Sequence, residues 1–171
     1  MTQLPYKGFV SVLDDIKDFI NNTYSNVSGS PIIDPFDDSG NIRGTGTGLA
    51  SIEDEEQTQN MPKIVIYPLT MPRTKLGAGK SDYRELHRYQ IIIKYTCHRS
   101  HTWTYDSVEY KGTRQCIKYL EYIGDQLKKY SGSFIDMNEI TIGEMSQPLK
   151  SPDNLTYTGI LPVKIDSYGR L

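Results

Sequence analysis

The chain has 171 residues, a formal net charge of −2 at pH 7 and a hydrophobic share of 37%. That length fits one domain, and because only a sub-region is basic, the charge allows DNA binding but does not imply it. No apolar stretch reaches the roughly 20 residues that span a bilayer, and no secretory signal is recognisable. We therefore expect a soluble protein made in a cytoplasm. Two cysteines do not form a disulfide framework.

Charge is divided unevenly along the chain. Residues 28–62 contain seven acids and one base, Arg43, whereas residues 63–105 contain eight bases, two acids and all three histidines. An acidic segment beside a basic, tyrosine-rich one favours a protein that joins copies of itself, or binds a polyanion, through complementary fields. The division does not favour a catalyst.

The first predicted element is a helix. Apolar residues recur at steps of three and four between Phe9 and Tyr24, while Asp14, Asp15 and Asp18 fall on the opposite side. This arrangement is typical of a helix that packs one face on a core.

An irregular acidic arm is predicted over residues 28–62. Its glycines and prolines would interrupt any regular element, and a loop of this length tends to be functional or disordered. We predict one domain over residues 1–171 with this arm inserted, and we expect the arm to wrap a neighbouring subunit. The arm residues expected at that contact are Ile32, Ile33, Phe36, Asp37 and Asp38.

Two strands are predicted after the arm. Residues 63–69 are rich in β-branched side chains and end near Pro68, and residues 70–82 are predicted to be a loop. Residues 84–98 alternate between two faces over a long stretch, as in an antiparallel sheet that is covered on one side. The face predicted to pack holds Tyr89, Ile91, Ile93, Tyr95 and Cys97.

The second half of the chain predicts one more helix and two strands. Asp106 and Glu109 have the spacing of a capping box, so we predict a helix that begins there and ends before residue 131, with Gly112 as a weak point. Strands are predicted over residues 138–145 and 155–168, with a bulge or a sheet edge at Pro162. The predicted fold class is α+β, with a mainly antiparallel or mixed sheet of about four strands and two helices on one face.

Motifs for chemistry are weak. Gly79-Lys80-Ser81 matches the tail of a phosphate loop, but the earlier glycine is replaced by Thr74 and a strand is predicted where the motif needs a helix. Cys97, His98 and His101 offer three metal ligands, whereas a structural zinc site needs four. We predict no catalytic residue, no cofactor and no bound metal.

The order of elements is similar to that of the tail-terminator (tail-completion) proteins of tailed phages and related viruses. The similarity rests on the first helix, the strands over residues 62–67 and 89–95, the helix over residues 117–127 and the closing strand over residues 160–165. It implies a non-enzymatic virion protein that forms a ring, usually six-fold, caps the tail tube and docks the head. The implied partners are the tail tube protein, neck proteins, and DNA that passes through the lumen without sequence-specific binding.

A ring needs an interface in which one surface meets a different surface of the next copy. We predict that Arg73, Lys75 and Lys80 lie on a loop that meets acidic surface of a neighbour or faces the DNA channel. Arg84 and Arg88 are expected at the same interface. Two rival interpretations remain at this stage: another neck adaptor, and a nucleotide-dependent enzyme built on Gly79-Lys80-Ser81.

Overall fold

The computed structural model describes residues 8–26, 50–52, 62–76, 84–100, 102–130 and 139–170. The helices in these ranges are α1 (Phe9–Asn26) and α2 (Gly112–Tyr130). The strands are β1 (Ala50–Ile52), β2 (Lys63–Thr70), β3 (Arg73–Lys75), β4 (Arg84–His98), β5 (Thr102–Tyr105), β6 (Val108–Lys111), β7 (Glu139–Ile142), β8 (Leu149–Lys150) and β9 (Thr156–Arg170).

One mixed sheet contains seven of these strands. Its order is β1-β2-β4-β9-β7, while β3 continues the pairing along β4 and β8 continues it along β9. Every pairing in it is antiparallel except that of β1 with β2. Strands β5 and β6 form a separate hairpin. The predicted α+β class is confirmed, with more strands than the four expected.

The centre of the sheet is a long ribbon of β4 and β9. The two strands pair without interruption from Arg84 opposite Arg170 to His98 opposite Thr156. The predicted limits of the strand over residues 84–98 are confirmed. So is its packed face, because Tyr89, Ile93 and Cys97 are fully buried.

Both helices cover the same face of this ribbon. The ring of Phe9 in α1 lies 5.2 Å from that of Tyr89, and the ring of Tyr119 in α2 stacks on Tyr95 at 4.4 Å. Because Tyr89 and Tyr95 are an even number of residues apart on β4, they point to one side of the sheet. Neither helix, within the described ranges, is long and apolar enough to cross a membrane.

The predicted capping box at Asp106 is wrong. Asp106 and Ser107 have positive φ angles of 50° and 63° and form the two-residue turn of the β5–β6 hairpin. Positive φ at both central residues characterises the turn type whose twist matches paired strands. Helix α2 begins later, at Gly112, where φ is +53° and a Cβ atom would lie 3.0 Å from the ring of Tyr157. Gly112 is therefore a starting residue of α2 and not a weak point within it.

Three further expectations are corrected around the sheet. Strand β2 continues through Pro68 to Thr70, with a register shift between these two residues. Strand β3 lies where a loop was predicted. Strand β1 falls inside the predicted arm, and its residues Ala50–Ile52 pair parallel with Ile64, Val65 and Ile66. These segments are short or interrupted by proline, so their own patterns do not reveal the pairing that orders them.

Pro162 lies in the interior of the sheet and not at an edge. Its neighbour on β4 is Ile92, and the β4–β9 register passes this point without a shift. On the other side, Gly143 donates its backbone N–H to the carbonyl of Pro162 at 2.8 Å, just beyond the end of β7. In an antiparallel strand the N–H and C=O of one residue point to the same side. The N–H that proline lacks would therefore also point toward Gly143. The sheet therefore tolerates proline here at the cost of one hydrogen bond on that side.

Candidate functional site

The structure describes part of the predicted interface. Arg73 and Lys75 lie on β3, and Arg84 and Arg88 lie on β4. The expectation that Arg73 and Lys75 lie on a loop is wrong, because both are held in the ladder with β4. The predicted interface residues outside the described ranges are Lys80, Ile32, Ile33, Phe36, Asp37 and Asp38.

Strand pairing gathers the described cations at one end of the β4–β9 ribbon, which we name the basic end. Arg73 lies opposite His87, and Lys75 lies opposite Glu85. At the last pair of the ribbon, Arg84 lies opposite Arg170. The basic end therefore comprises positions Arg73, Lys75, Arg84 and Arg170.

Arg170 was not found from the sequence. It lies 86 positions beyond Arg84 in the chain, and only the antiparallel register brings the two together. The sequence did contain a signal for this contact. When two long alternating strands pair antiparallel, the start of one lies beside the end of the other.

Cations near the basic end are found on both faces of the sheet. Arg73 and Lys75 oppose the odd-numbered residues His87 and Glu85, so they belong to the face that the helices cover further along. Arg88 is even-numbered on β4 and belongs to the opposite face, where it contacts Asp166. The charge pattern of the sequence places these cations in one region of the chain, but it does not assign them to faces of the sheet.

Acidic partners are built into the basic end. His87 is almost completely buried, and its Nε2 lies 2.8 Å from Oε2 of Glu85. On the other face, Arg88 donates two hydrogen bonds to Asp166, at 2.8 Å from Nε and 2.9 Å from Nη2. This two-pronged geometry is the strongest form of an arginine–carboxylate contact. Arg88 therefore links β4 to β9 within its own chain.

The sheet face opposite the helices, which we name the open face, is half-buried and mixed in character. Lys94 donates from Nζ to the hydroxyl of Tyr67 at 3.2 Å and lies 5.3 Å from the centre of the Tyr67 ring. Val65 is fully buried yet lies apart from the core cluster beneath the helices. Thr96 and Thr158 are joined across the ribbon by a 3.1 Å hydrogen bond. The sequence indicated a mostly wet face, whereas parts of it are closely packed.

The described structure does not give the phosphate-loop motif or the Cys97–His98 motif the structural context that its chemistry requires. Residues 79–81 fall outside the described ranges, but the element that follows them is strand β4 and not the helix that a phosphate loop opens. Cys97 is buried beside Cys116, with the two sulfur atoms 3.6 Å apart, whereas His98 accepts a hydrogen bond from the backbone N–H of Ser100. Neighbouring strand residues point to opposite faces, so Cys97 and His98 diverge.

The described part of the chain holds no cluster of potential metal ligands. None of these residues form a group of three or more histidine, cysteine, aspartate or glutamate side chains that could hold an ion. Among known proteins, no family model matches the sequence, and no curated protein shows significant similarity to it.

Proposed function

We propose that this chain is a structural virion protein that caps the tail tube and joins the tail to the head. In this proposal it forms a ring, six-fold as in the tail-terminator proteins that it resembles, and contacts the tail tube protein on one side and neck proteins on the other. It acts without catalysis, and it is assembled in the host cytoplasm before it becomes part of the virion.

The basic end of the β4–β9 ribbon carries this proposal. Arg73 and Lys75 are exposed, and the Arg84–Arg170 register adds two further cationic positions to the same end. A concentration of like charge destabilises an isolated subunit and is relieved when an anionic surface approaches. Acidic side chains of a neighbouring copy and the phosphates of DNA in a channel both supply such a surface.

The position of this charge fits a joining protein better than an enzyme. The cations lie on the outer strand β3 and at the ends of β4 and β9, on a ladder that holds them in a fixed arrangement. Rigid strands present side chains to a partner with little loss of conformational entropy on docking. A subunit of a ring needs such a preformed surface, because each copy repeats the same contact.

The test is assembly with purified tail tubes. We expect ring-shaped particles of the purified protein in negative stain, and we expect these particles to decorate the open end of the tubes. The triple substitution Arg73→Glu, Lys75→Glu and Lys80→Glu should reduce ring formation or tube capping. Its matched control reverses three exposed cations elsewhere, Arg99, Lys128 and Lys129, and should assemble like the natural protein.

The outcomes separate the candidate functions. Rings that bind other neck components but not tubes would favour a neck adaptor. A species that stays monomeric at every concentration and ignores virion components would overturn the proposal. Nucleotide binding that disappears in Lys80→Ala would instead favour the enzyme.

A further inference from the structure

The two cysteines of the chain contact each other between α2 and the main sheet. Cys97 lies on β4 and Cys116 lies on α2, and both side chains are fully buried. Their Sγ atoms are 3.6 Å apart and are not bonded to each other. The sulfur atoms of a disulfide are about 2.0 Å apart, so these two atoms need to approach by roughly 1.5 Å to form one.

Helix α2 lies close to the sheet beside this pair. Cys97 lies opposite Tyr157 in the ladder, and the carbonyl oxygen of Tyr157 accepts a hydrogen bond from Sγ of Cys116 at 3.4 Å. A Cβ atom built on Gly159, the next residue of β9 on the same face, would lie 3.5 Å from Cβ of Cys116. The Cβ atoms of a disulfide are separated by about 3.5–4.5 Å. Helix α2 therefore approaches this face of the sheet at the distance that a disulfide spans.

Hydrogen bonds set the direction of both thiols. Because the S–H of Cys116 donates to the carbonyl of Tyr157, the S–H of Cys97 is the one that points to Sγ of Cys116. This contact and burial raise the pKa of the Cys97 thiol. The thiolate is the form that attacks an oxidant, so we expect the pair to react slowly while the chain is folded.

The segment between the two cysteines contains the β5–β6 hairpin, which lies outside the main sheet. Its Trp103 packs edge-on against the rings of Tyr119 and Tyr122 in α2, with ring centres 5.4 and 6.3 Å apart. A two-stranded hairpin alone is marginally stable in water, so this one depends on its contact with α2. A bond from β4 to α2 would join the two ends of the segment and reduce the conformational freedom of the unfolded chain.

We propose that Cys97 and Cys116 form an intramolecular disulfide when the protein passes from a reducing to an oxidising medium. Disulfides are rare in the cytosol and persist outside cells and at virion surfaces. The formation of the bond does not depend on the proposed function. Its timing rests on that function, because a virion protein made in the host cytoplasm meets an oxidising medium when the particle is released.

The oxidant is a low-molecular-weight disulfide such as oxidised glutathione. One cysteine loses its thiol proton and its sulfur attacks the oxidant, whose S–S bond breaks, so that a mixed disulfide forms and one small thiolate leaves. The other cysteine then loses its proton and attacks the protein sulfur of the mixed disulfide, and the second small thiolate leaves. The protein gives up two electrons and two protons, and the oxidant departs as two thiols. Because both cysteines are buried, the exchange requires α2 to separate locally from the sheet.

The experiment equilibrates the purified natural protein with mixtures of reduced and oxidised glutathione and then blocks free thiols with an alkylating reagent. As the oxidised share rises, we expect both thiols to disappear together. Digestion without reductant should then yield one linked pair of peptides that contain Cys97 and Cys116. In urea, the oxidised protein should have an unfolding constant about a hundredfold smaller than that of the reduced protein. Dithiothreitol should reverse this difference.

Two variants serve as matched controls. Cys97→Ala and Cys116→Ala each keep one thiol, so oxidised glutathione cannot close the bond and should not raise their stability. Circular dichroism in reducing buffer checks that each variant is folded. The comparison of oxidised with reduced natural protein needs neither variant, so it decides the question even where a variant does not fold.

The results also distinguish this proposal from the proposed function. A linked peptide pair with a gain in stability supports the disulfide. Thiols that stay free at the highest oxidised share, a link that joins two chains, or a linked protein no more stable than the reduced one would overturn it. Tube capping by a protein that forms no disulfide would leave the proposed function standing. A disulfide in a chain that neither forms rings nor binds tubes would overturn the proposed function and leave the disulfide standing.

Discussion

Leu120 occupies the space that a side chain at position 159 would need. A Cβ atom built on Gly159 would lie 2.7 Å from Cδ1 of Leu120, well inside the separation at which carbon atoms attract. Leu120 is fully buried in α2, and Gly159 lies in β9 opposite Tyr95. The absence of a side chain at Gly159 therefore sets how closely α2 packs on the centre of the sheet.

We expect Gly159→Ala to lower the free energy of unfolding by about 1–3 kcal/mol, the usual cost of overpacking a core. In a Leu120→Ala background the added methyl group enters existing space, so its cost should be smaller by roughly 1 kcal/mol. Urea denaturation of the four proteins of this cycle measures both values. Equal costs in the two backgrounds would show that the contact does not limit the packing.

The clamp between Arg88 and Asp166 makes a second prediction. Because Arg88 is 45% exposed, water screens the pair, and we expect a coupling energy of about 0.5–1 kcal/mol from a double-mutant cycle with alanine. Arg88→Lys keeps the charge but cannot donate two parallel hydrogen bonds, so it should retain only part of the coupling. Added salt should reduce the coupling. Full retention by lysine would mean that charge alone matters.

The buried thiol of Cys97 predicts a loss of stability at alkaline pH. The hydrogen bond with Cys116 and burial both raise the pKa of the Cys97 thiol above its ordinary value. The folded protein keeps this proton where the unfolded chain releases it, so the stabilisation is complete below the unfolded pKa of about 8.5 and declines above it. The decline is limited to about 1.4 kcal/mol per pH unit for one proton.

To test this prediction, the free energy of unfolding of the natural protein and of Cys97→Ala is measured between neutral pH and about pH 10. This range includes the thiol pKa of an unfolded chain. We expect the variant to have a lower stability at neutral pH, and we expect its stability to fall less steeply as pH rises. Parallel curves for the two proteins would show that Cys97 does not titrate on unfolding in this range.

The hairpin turn offers a stabilising change. Asp106 and Ser107 both hold positive φ angles, and Asn-Gly is the pair that this turn type favours most. We expect Asp106→Asn with Ser107→Gly to raise the unfolding free energy by about 0.5–1 kcal/mol, because strain at two residues is relieved. Thermal unfolding measures the gain. Ser107→Val, which adds a branched side chain at a positive φ, should lower stability, and a gain from it would contradict the assignment of the turn.

The sequence predicted the parts of the fold whose patterns are long and local. The strand over residues 84–98 alternates for its whole length, and α1 carries one continuous apolar stripe, so both were found with close limits. The β5–β6 hairpin was missed because Asp106 and Glu109 also fit a helix start. The alternation of Trp103 and Tyr105 with Tyr110 across the turn was the better signal, since these rings pack together.

The candidate site was predictable by region but not by geometry. A run of cations identified Arg73, Lys75 and Arg84, but a strand as short and polar as β3 has no pattern of its own and forms only because β4 offers a ladder. Arg170 and the ion pair of Arg88 with Asp166 depend on contacts between distant parts of the chain. Glu139 was overlooked because it is an isolated charge in the sequence until the sheet order places it on the outer strand β7.

The position of β9 also shapes how the molecule must be made. Of the described elements this strand comes latest in sequence, yet it lies between β4 and β7 and supplies Leu161, Val163 and Ile165 to the core. Pairings between segments remote in sequence form slowly, because the entropy of closing a long loop is lost before the contacts contribute any free energy. Until β9 is synthesised, β4 lacks the strand that pairs with it along its whole length. A chain that lacks β9 therefore leaves one side of β4 unpaired, and unpaired strand edges favour aggregation.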